Sequence, residues 1–546
     1  MNFRIDAEPS EAEHAVLDRL FNALWREGFA ARRSLWKGFA VLRLPGGGVA
    51  VARVAGRLAL DRLRTEPPYA IRRNGRLEVV TTPEGLTEVI GGVAPDDRAR
   101  LCEELSESTA HTAMFIEASR KRAGGGLLDT APPPGVPHDA WLEGFIVRGH
   151  PLHPGSKMRR GFSADELRAW SSEMGGRVDV AFVAVRNDHL TVAALPRTPE
   201  AWESAVRVPH GYTPIPVHPW QLRHTLPRVF ARERAEGVII PLPDVLPACP
   251  LVSQRTVVPL GGGAHLKLPV AAQMTSAVRT VSAQSARNGP RLTALLEGLL
   301  EGNPHATLQG ERWTGHFWDP GADDTDPEAL ERARHLSAIV RDAPRGDTLV
   351  PAALLIEECP VRREPVAMEL VERHGGGPIA FFAEYAEVFA RGVLPLLLGY
   401  GFAAEAHAQN CVVDFEGGRV RAFVLRDLGG VRIHLPWLRE RLDLHPASVI
   451  TADTVPELFA KAHHTWLQGH LAPLASALDA PENALWRAAS AAFRRAWEAI
   501  DVPPERREMA RALFFAPRIQ VKALTLMRLR GKSHHYDFCE VDNPLA

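Results

Sequence analysis

The spacing of apolar residues near the start of the chain predicts an amphipathic helix. Ser10 and Glu13 have the spacing of a capping box, and Gly28 is placed to end the helix. The apolar residues between them recur at helical intervals, at Val16, Leu17, Leu20, Phe21, Leu24 and Trp25. The chain therefore begins with a helix that buries one face.

Short segments that alternate apolar and polar residues follow this helix and predict strands. Asn74-Gly75 stands between two of them, and this dipeptide favours a tight hairpin turn. Helical spacing resumes to about residue 120, and the Gly- and Pro-rich stretch 124–137 predicts a linker or loop. A first α+β domain of about 130 to 160 residues accounts for this pattern.

The rest of the chain predicts a mixture of short strands and helices. A hairpin-like pair of strands is predicted across residues 348–377, followed by a long helix around 381–401. Two further strands in 411–430 are separated by Gly417-Gly418, which indicates a second tight turn. We find no internal repeat, so the pattern predicts an α+β multidomain chain.

Composition and charge narrow the function classes. Of the 546 residues, 45% are hydrophobic and 24% are charged, which is ordinary for a globular protein. The net charge is −1, so no overall field attracts nucleic acid or an acidic membrane surface. Any anion that the protein binds must therefore be held by a local cluster of cations.

Cysteine usage and hydropathy predict a cytoplasmic protein. The five cysteines are widely spaced without a CxxC pair, which indicates a reducing compartment rather than disulfides or a zinc site. The N-terminal segment has no apolar core like that of a signal peptide. The longest uncharged run, near residues 393–404, is broken by Pro395 and Gly399 and is too short to span a bilayer.

The segment from Ser253 to Thr280 carries an unusual set of charges. Arg255, Lys267 and Arg279 lie in an otherwise apolar stretch that contains no carboxylate. An unpaired buried charge costs several kcal/mol or more, so covered cations need an anionic partner. The sequence therefore predicts an anionic ligand for this segment.

A second candidate site combines residues 405–410 with Asp427. If the two strands of 411–430 pair, Asn410 and Asp427 approach one hard cation, and their oxygens suit magnesium beside substrate phosphates. The layout resembles the metal end of a protein kinase. The alternative is a structural turn in which Asp427 caps the backbone before Gly429 and Gly430.

Residues 149–162 combine histidines, prolines and cations in one short stretch. His153 and Lys157 stand among them, and Gly155 with Ser156 could present backbone amides to an anion. A solvated basic loop is the alternative interpretation.

The chain contains no GxGxxG, HExxH or GxSxG motif, so a bound nucleotide is not held by a familiar glycine loop.

Taken together, five ordered blocks resemble the IucA/IucC family of siderophore synthetases, which act independently of nonribosomal peptide synthetases. The blocks are GHPLHPGSKMRRGF, PVHPWQ, SQRT…HLKLP…TSAVRT, EAHAQN…RDLGG and VDNPL, and they span Gly149 to Leu545. The resemblance implies a cupped hand with a thumb at 1–145, fingers at 146–348 and a kinase-like palm at 349–546.

The resemblance also implies a two-step reaction that uses ATP and Mg²⁺. A carboxylate, commonly citrate or a related dicarboxylate or tricarboxylate, attacks the α-phosphate of ATP to give an acyl adenylate and pyrophosphate. An amine or hydroxyl nucleophile then displaces AMP. Homodimers are common in the family, so a homodimer is expected, without nucleic-acid or membrane partners.

Site roles are carried over from the family one position at a time. The residues expected to bind ATP are His153, Lys157, Ser253, Arg255, Thr256, Lys267, Gln409, Asn410 and Asp427. Those expected to hold the carboxylate substrate are Thr275, Arg279, His407 and Lys522, and those expected to bind metal are Glu405, Asn410 and Asp427. The catalytic set is Arg279, His407 and Lys267.

Two other functions are weighed against the ligase. A small-molecule kinase would also use a kinase-like palm, but no HRD precedes Asn410 and no DFG occurs at Asp427. A non-catalytic binding protein is disfavoured because none of the expected cationic or metal positions is lost. The particular carboxylate, the particular amine and the general base stay open at this point.

Overall fold

The N-terminal part of the chain folds as its local sequence predicts. The computed structural model describes residues 8–196, 206–275, 277–531 and 536–546. Its elements up to residue 145 are α1 (Glu11–Arg26), β1 (Arg32–Trp36), β2 (Phe39–Arg43), β3 (Val49–Leu58), β4 (Arg62–Arg73), β5 (Arg76–Val80), α2 (Pro83–Thr87), α3 (Pro95–Arg122) and α4 (His138–Glu143). Strands β1 to β5 form an antiparallel meander in chain order.

Two local predictions in this part are confirmed. The Glu13 amide donates to Ser10 Oγ at 3.3 Å and the Ser10 amide donates to Glu13 Oε2 at 2.7 Å, which completes the capping box. Asn74 and Gly75 both have positive φ, at 48° and 80°, and they turn β4 into β5. Short-range chemistry is sufficient to specify both features.

The central part is built on one large antiparallel sheet. Its elements are β6 (Arg159–Arg160), α5 (Ala164–Trp170), β7 (Val178–Arg186), β8 (Leu190–Ala194), β9 (Tyr212–Val217), α6 (Pro219–His224), α7 (Leu226–Val229), α8 (Ala231–Ala235), β10 (Ile239–Pro250), β11 (Thr256–Pro259), β12 (His265–Lys267), β13 (Val270–Met274), β14 (Ala277–Arg279), α9 (Ala283–Leu299), β15 (Ala306–Leu308), β16 (Glu311–Phe317), α10 (Pro327–Ala333) and β17 (Ser337–Arg341). The strand order β8-β16-β17-β12-β11-β10-β7-β9 defines the central sheet.

The C-terminal part combines a small sheet with many helices. Its elements are β18 (Thr348–Pro351), α11 (Ala367–His374), α12 (Gly377–Tyr400), β19 (Phe402–Ala403), β20 (Cys411–Glu416), β21 (Arg419–Leu425), β22 (Arg432–Ile433), α13 (Val455–Ala462), a π-helix (His463–Leu471), α14 (Ala472–Ala477), α15 (Glu482–Glu498), α16 (Pro504–Phe514), β23 (Arg518–Lys522), α17 (Leu524–Leu529) and β24 (Phe538–Asp542). The order β15-β21-β20-β18 defines the C-terminal sheet.

The prediction of a hairpin across residues 348–377 is wrong. Strand β18 pairs with β20, 60 residues further along, and the second half of the segment forms helix α11. Ala367, Leu370 and Val371 are buried together on this helix, because their spacing fits the period of 3.6 residues better than the alternation of a strand. The predicted long helix and the Gly417-Gly418 turn between β20 and β21 are confirmed.

Three large hydrophobic clusters among the described residues confirm an α+β multidomain fold. One lies under the N-terminal sheet, one on the central sheet, and the largest around the C-terminal sheet with α12 and α15. Strand β15 lies within the segment 146–348 but pairs in parallel with β21 of the C-terminal sheet. A strand of the segment predicted as fingers thus belongs to the C-terminal sheet, and the chain passes from it directly into β16 of the central sheet.

One face of the central sheet is polar where it meets the C-terminal part. In β12, Leu266 points into the hydrophobic cluster of the central sheet, so its neighbours His265 and Lys267 lie on the opposite face. His265 Nε2 lies 2.6 Å from Asp139 Oδ2, and Lys267 Nζ lies 2.6 Å from Asp427 Oδ1. Charged side chains therefore line the junction between the two sheets.

The N-terminal helix is tied to the C-terminal part by a buried carboxylate. Glu27, which follows α1 and is 1% exposed, accepts hydrogen bonds from the amides of Thr525 and Leu526 at 2.8 and 3.0 Å. Burial raises its pKa to about 7, although Arg26 and the backbone amides lower it. Below about pH 7, the neutral carboxyl is therefore favoured in the folded protein.

We expect this contact to depend on pH. The folded-state pKa of Glu27 lies above its ordinary value of 4.5, so its stabilising contribution is present below that value and is lost as the pH rises to about 7. As the pH rises from 5 to 8, the free energy of unfolding of Glu27→Gln should therefore increase relative to that of the wild type by roughly 2 to 3 kcal/mol. Thermal denaturation at both pH values tests this.

The alanine variant provides the comparison for this experiment. Glu27→Ala removes the acceptor for the Thr525 and Leu526 amides and should be destabilised at both pH values. Parallel pH profiles of the wild type and Glu27→Gln would contradict the prediction.

Within the described ranges, every helix is too short or too polar to cross a bilayer.

Candidate active site

A cleft lies where the central and C-terminal parts meet. The space within it measures about 730 Å³, part of which is open to solvent. The predicted site residues that line it are Lys157, Ser253, Thr275, Arg279, His407 and Gln409. Segments more than 200 residues apart in the sequence are therefore brought to one cavity.

Arg279 brings positive charge to this cleft, and Arg255 lies close enough for its charge to act on Arg279. Arg279 Nη2 donates to Thr275 Oγ1 at 2.7 Å, and Arg255 Nη1 donates to the Thr280 carbonyl oxygen at 2.5 Å. Among the described residues, neither guanidinium has a carboxylate within ion-pair distance. Burial and the neighbouring charges of Arg255 and Arg159 together lower the pKa of Arg279 to about 10, with Asp427 and Glu405 opposing the shift.

The expectation that all three cations lack acidic partners is wrong for Lys267. Its ammonium lies 2.6 Å from Asp427 Oδ1, and Arg341 contacts the other carboxylate oxygen at 3.3 Å. Asp427 is 160 residues away in the sequence, so inspection of the segment around Lys267 does not show the pair. Burial lowers the pKa of Lys267 to about 8, with Asp427 opposing and Arg341 adding to the shift.

The cluster nevertheless keeps an excess of positive charge. Glu311 is the second carboxylate, and it binds Arg341 at 3.0 Å. Four cations, Arg255, Lys267, Arg279 and Arg341, thus share two carboxylates, Asp427 and Glu311. An anion in the cleft would meet a positive local field in a place that is largely shielded from water.

Asp427 is held in a strained conformation at the end of β21. Its φ of 69° and ψ of 91° lie outside the regions that non-glycine residues favour, and its side chain makes no capping hydrogen bond to the turn that follows. The alternative interpretation of Asp427 as a turn cap is therefore wrong. Burial would raise its pKa, but Lys267, Arg341 and Arg255 hold it well below its usual value.

Asn410 lies beside Asp427 across the paired strands. The Arg426 amide donates to the Asn410 carbonyl oxygen at 3.0 Å, which places Asn410 opposite the residue that precedes Asp427. Asp427 and Asn410 offer hard oxygen atoms of the kind that suits magnesium. Within the described ranges, three or more His, Cys, Asp or Glu residues do not gather into a ready-made metal site.

Glu405 is already engaged by a neighbouring cation. Lys461 Nζ donates to Glu405 Oε1, and this lysine and His407 bring the pKa of Glu405 to about 2 despite its burial. A β-carbon on Gly430 would approach within 1.8 Å of Glu405 Oε2, so the glycine makes room for the carboxylate. Binding of metal by Glu405 stays a prediction from the sequence.

His407 is packed tightly against the π-helix. A β-carbon on Gly469 would lie 3.0 Å from the His407 β-carbon, so only glycine leaves ordinary space there. Burial lowers the pKa of His407, while Glu405 raises it. A neutral imidazole in the cleft can accept or donate one hydrogen bond without adding charge.

The residues of the 149–162 segment are more buried than a solvated basic loop would be. Lys157 is 1% exposed, and its ammonium lies 2.6 Å from Glu173 Oε1. His153 is also buried, and burial lowers its pKa to about 3. The alternative of a solvated loop is therefore wrong, but contact of Lys157 or His153 with a nucleotide stays a prediction.

Lys522 lies beyond the cleft, at the Glu405 end of the cluster. Its ammonium is 3.5 Å from the centre of the Tyr536 ring. Burial lowers its pKa to about 8, with Glu405 opposing the shift.

Thr256, 5% exposed, donates its amide to Ser253 Oγ and so holds that residue in place at the cleft.

Sequence reasoning missed several residues that build the site. Arg341 ends an apolar strand, Ser337–Arg341. A cation in an apolar segment is the feature that singled out Lys267, and the same feature identifies Arg341. Glu311, Lys461 and Glu173 carry no local signal, because each is recognisable only by the cation that folding places beside it.

Two family models match the chain. The IucA / IucC family model matches residues 139–357. A model described as ferric iron reductase FhuF-like transporter matches residues 379–537. The first covers the central sheet and β18, and the second covers most of the C-terminal part.

Curated relatives match over nearly the whole chain. Staphyloferrin A synthase of Staphylococcus aureus is 26% identical over 91% of this chain and 91% of its own length. D-ornithine–citrate ligase of the same organism is 26% identical, over 90% of this chain and 84% of its own length. The uncharacterized protein y4xN of Sinorhizobium fredii is 30% identical over 78% of this chain and 74% of its own length.

Solved structures share the fold. The petrobactin biosynthesis protein AsbB from Bacillus anthracis has a TM-score of 0.82 at 18% identity, covering 98% of this chain and 95% of that one. ATP-bound aerobactin synthetase IucA from Klebsiella pneumoniae has a TM-score of 0.80 at 18% identity, covering 97% and 99%.

The fold, the cationic cleft and these relatives define an enzyme class, a ligase of siderophore biosynthesis. Within that class, the chain belongs to the IucA/IucC family of siderophore synthetases.

Proposed function

We propose that the protein uses ATP to adenylate a polycarboxylate and then joins the acyl group to an amine or hydroxyl nucleophile. In the first step a carboxylate oxygen attacks the α-phosphorus and pyrophosphate leaves. In the second, the nucleophile attacks the acyl carbon, AMP leaves, and the proton of the nucleophile passes to solvent. Two related proteins support this proposal by their names, D-ornithine–citrate ligase and ATP-bound aerobactin synthetase.

One observation carries the proposal: Arg279 lines the cleft, the charge of Arg255 acts on it from close by, and neither guanidinium has a carboxylate within ion-pair distance in the described part of the chain. A triphosphate and a polycarboxylate repel each other, and bringing them to reacting distance requires compensating cations. Arginine suits this role because its planar guanidinium can bind two oxygens of a carboxylate or phosphate at once.

The division of roles follows the positions of the side chains. Arg279, with Thr275 and His407, would bind the carboxylate where it meets the α-phosphate, because all three line the cleft. Ser253, Arg255 and Lys267 would bind the phosphates. Lys522 would meet a distal carboxylate of the substrate, and Gln409 the nucleotide.

Magnesium fits part of the predicted ligand set. Asp427 and Asn410 would hold it, because Asp427 stays ionised and Asn410 lies opposite the neighbouring residue. Bound there with phosphate oxygens and water, the ion would neutralise charge on the triphosphate. Glu405, the third predicted ligand, would reach the ion only by giving up its contact with Lys461, just as Asp427 would exchange contacts with Lys267 and Arg341 for the ion.

The cupped-hand arrangement is proposed on the same basis. The N-terminal sheet would be the thumb, the central sheet the fingers and the C-terminal sheet with its helices a kinase-like palm. A homodimer is proposed only from the family resemblance.

The reaction products test the proposed function directly. We expect purified protein with ATP, Mg²⁺, citrate and hydroxylamine to form AMP, pyrophosphate and a citryl hydroxamate. ADP with a phosphorylated product would instead support the small-molecule kinase, and binding of ATP and citrate without products would support the non-catalytic relative. Omitting citrate is the control, because adenylation needs the carboxylate.

A further inference from the structure

Glu173 is a fully buried carboxylate that no part of the proposed reaction uses. It lies in a short turn, Ser172–Met174, after α5 and is 0% exposed. Its Oε1 accepts from Lys157 Nζ at 2.6 Å and Arg159 Nη2 at 3.2 Å. Its Oε2 accepts from Gln254 Nε2 at 3.0 Å and Ser172 Oγ at 3.1 Å. Four donors therefore converge on one carboxylate.

Three of these donors, Lys157, Arg159 and Gln254, come from two separate segments that border the cleft. Lys157 and Arg159 belong to the stretch that also brings Gly149 and His150 to the cavity. Gln254 stands between Ser253 and Arg255, which are both proposed to bind phosphates. Glu173 is thus a bridge between the segments 149–160 and 251–256.

Gln254 is held in a conformation that requires an anchor. Its φ is +66°, in the left-handed region that costs a non-glycine residue about 1 kcal/mol or more. The side chain is 1% exposed, and its Nε2 donates to Glu173. Gln254 therefore lies inside the protein, while its neighbour Ser253 lines the cleft and Arg255 donates to the Thr280 carbonyl oxygen beside Arg279.

The charges explain why a carboxylate is needed at this position. Lys157 and Arg159 are both buried, and in the described part of the chain Glu173 is the acid paired with each. Burial alone would raise the pKa of Glu173, but these two cations lower it, so the carboxylate stays ionised. One net positive charge remains on these three side chains. The charge of Arg159 contributes to the lowered pKa of Arg279.

We propose that Glu173 is a positioning residue for nucleotide binding, one that holds the 149–160 segment and the Gln254 turn at a fixed spacing without touching the substrate. The inference rests on the proposed function, because the spacing serves Ser253 and Arg255 as phosphate ligands. Without the carboxylate, the two segments are free to separate. The Gln254 turn then loses its anchor, whereas Arg159 stays paired through the backbone with Met274 of β13, beside Thr275. Phosphate contacts should therefore weaken more than contacts of Thr275 and Arg279 to the carboxylate substrate.

The test compares Glu173→Gln with a matched control, Glu233→Gln. Glu233 is also a buried carboxylate of the central part, and it pairs with Arg332 at 2.5 Å away from the cleft. We expect Glu173→Gln to raise the Kd for ATP at least about tenfold, with the KM for citrate changed less than about threefold. Glu233→Gln should leave both constants near those of the wild type.

Hydrogen exchange supplies a readout that does not depend on the proposed function. Backbone amides in both 149–160 and 251–256 should exchange faster in Glu173→Gln, because the carboxylate joins the two segments. Faster exchange in one segment alone would overturn the inference. A wild-type protein that fails to bind ATP would contradict the proposed function, and the exchange result would still decide the role of Glu173.

A double-mutant cycle separates positioning from general destabilisation. If Glu173 acts through Gln254, then Glu173→Gln and Gln254→Ala should raise the Kd for ATP by less together than the product of their separate effects. Independent effects would overturn the inference. Should Glu173→Gln fail to fold, Glu173→Asp keeps the charge but withdraws it from Gln254, and an unchanged Kd for ATP in that variant would count equally against it.

Discussion

Replacing Arg279 with alanine should abolish turnover while leaving the protein folded and as stable as the wild type, or more so. The two effects have one cause. The guanidinium lies at the cleft with Thr275 Oγ1 as its hydrogen-bond acceptor and without a carboxylate partner in the described ranges. A partly buried cation that is not neutralised by the fold costs stability.

The expected loss of activity follows from the role of a preorganised charge. Removing one hydrogen-bond donor from an oxyanion site costs on the order of 10²- to 10³-fold in rate, and removing an arginine that stabilises phosphoryl transfer costs about 10³- to 10⁵-fold. We expect kcat/KM of Arg279→Ala to fall at least about 10³-fold. The measurement is pyrophosphate release with ATP and citrate, beside a thermal denaturation curve.

Two further variants make this prediction specific. Arg279→Lys keeps the charge but loses the planar donor pair, so its activity should lie between the wild type and alanine variant. Arg334→Ala is the matched control, since Arg334 donates to Thr280 Oγ1 nearby but is paired with Glu331. A large loss of stability in Arg279→Ala, or comparable losses of activity in both alanine variants, would contradict a special role for Arg279.

Replacing Asp427 with asparagine should lower both activity and stability. The substitution keeps the shape of the side chain but removes the charge that Lys267 and Arg341 share. Arg341 retains Glu311, whereas Lys267 loses the carboxylate with which it is paired. Leaving one partner of a buried pair uncompensated typically costs about 3 to 5 kcal/mol.

The activity of Asp427→Asn should depend on magnesium differently from that of the wild type. Loss of an ionised oxygen ligand weakens binding of a hard cation, so more magnesium should be needed for half-maximal rate. We expect the maximal rate to fall at least about 10²-fold. A magnesium titration of pyrophosphate release measures both quantities, and a wild-type titration curve would remove Asp427 from the metal site.

Stability and catalysis at Asp427 are separated by a double variant. Lys267→Met combined with Asp427→Asn removes both members of the pair, so much of the lost stability should return while the activity stays low. Glu311→Gln is the matched control, because it removes the other carboxylate that contacts Arg341. It should lower stability without shifting the magnesium titration.

Local sequence features predicted the elements whose stability is local. The capping box of Ser10 and Glu13, the Asn74-Gly75 turn and the turn at Gly417-Gly418 depend on neighbours within a few residues, and all three are confirmed. Residues 364–377 were misassigned because a short apolar run fits a strand and a buried helix equally well. The choice between them was made by packing against the C-terminal core.

The candidate site shows the same division. Arg255, Lys267 and Arg279 were recognisable from the sequence because three cations in an apolar segment are anomalous wherever they occur. Their partners were not recognisable. Lys267 meets Asp427 across 160 residues, and Lys157 meets Glu173 in a different turn, so its ammonium is used inside the protein.

The sequence alone shows which residues are costly to bury, and the resemblance of its ordered motif blocks indicates the family and the segments of the site. The three-dimensional arrangement shows which of these costs the fold offsets itself, at Lys157 and Lys267, and which guanidinium groups it leaves without a carboxylate partner in the described ranges, those of Arg255 and Arg279. The physical reason is that electrostatic free energy depends on distances of a few ångströms in a shielded environment. Such distances between remote segments are set by the packing of the whole chain.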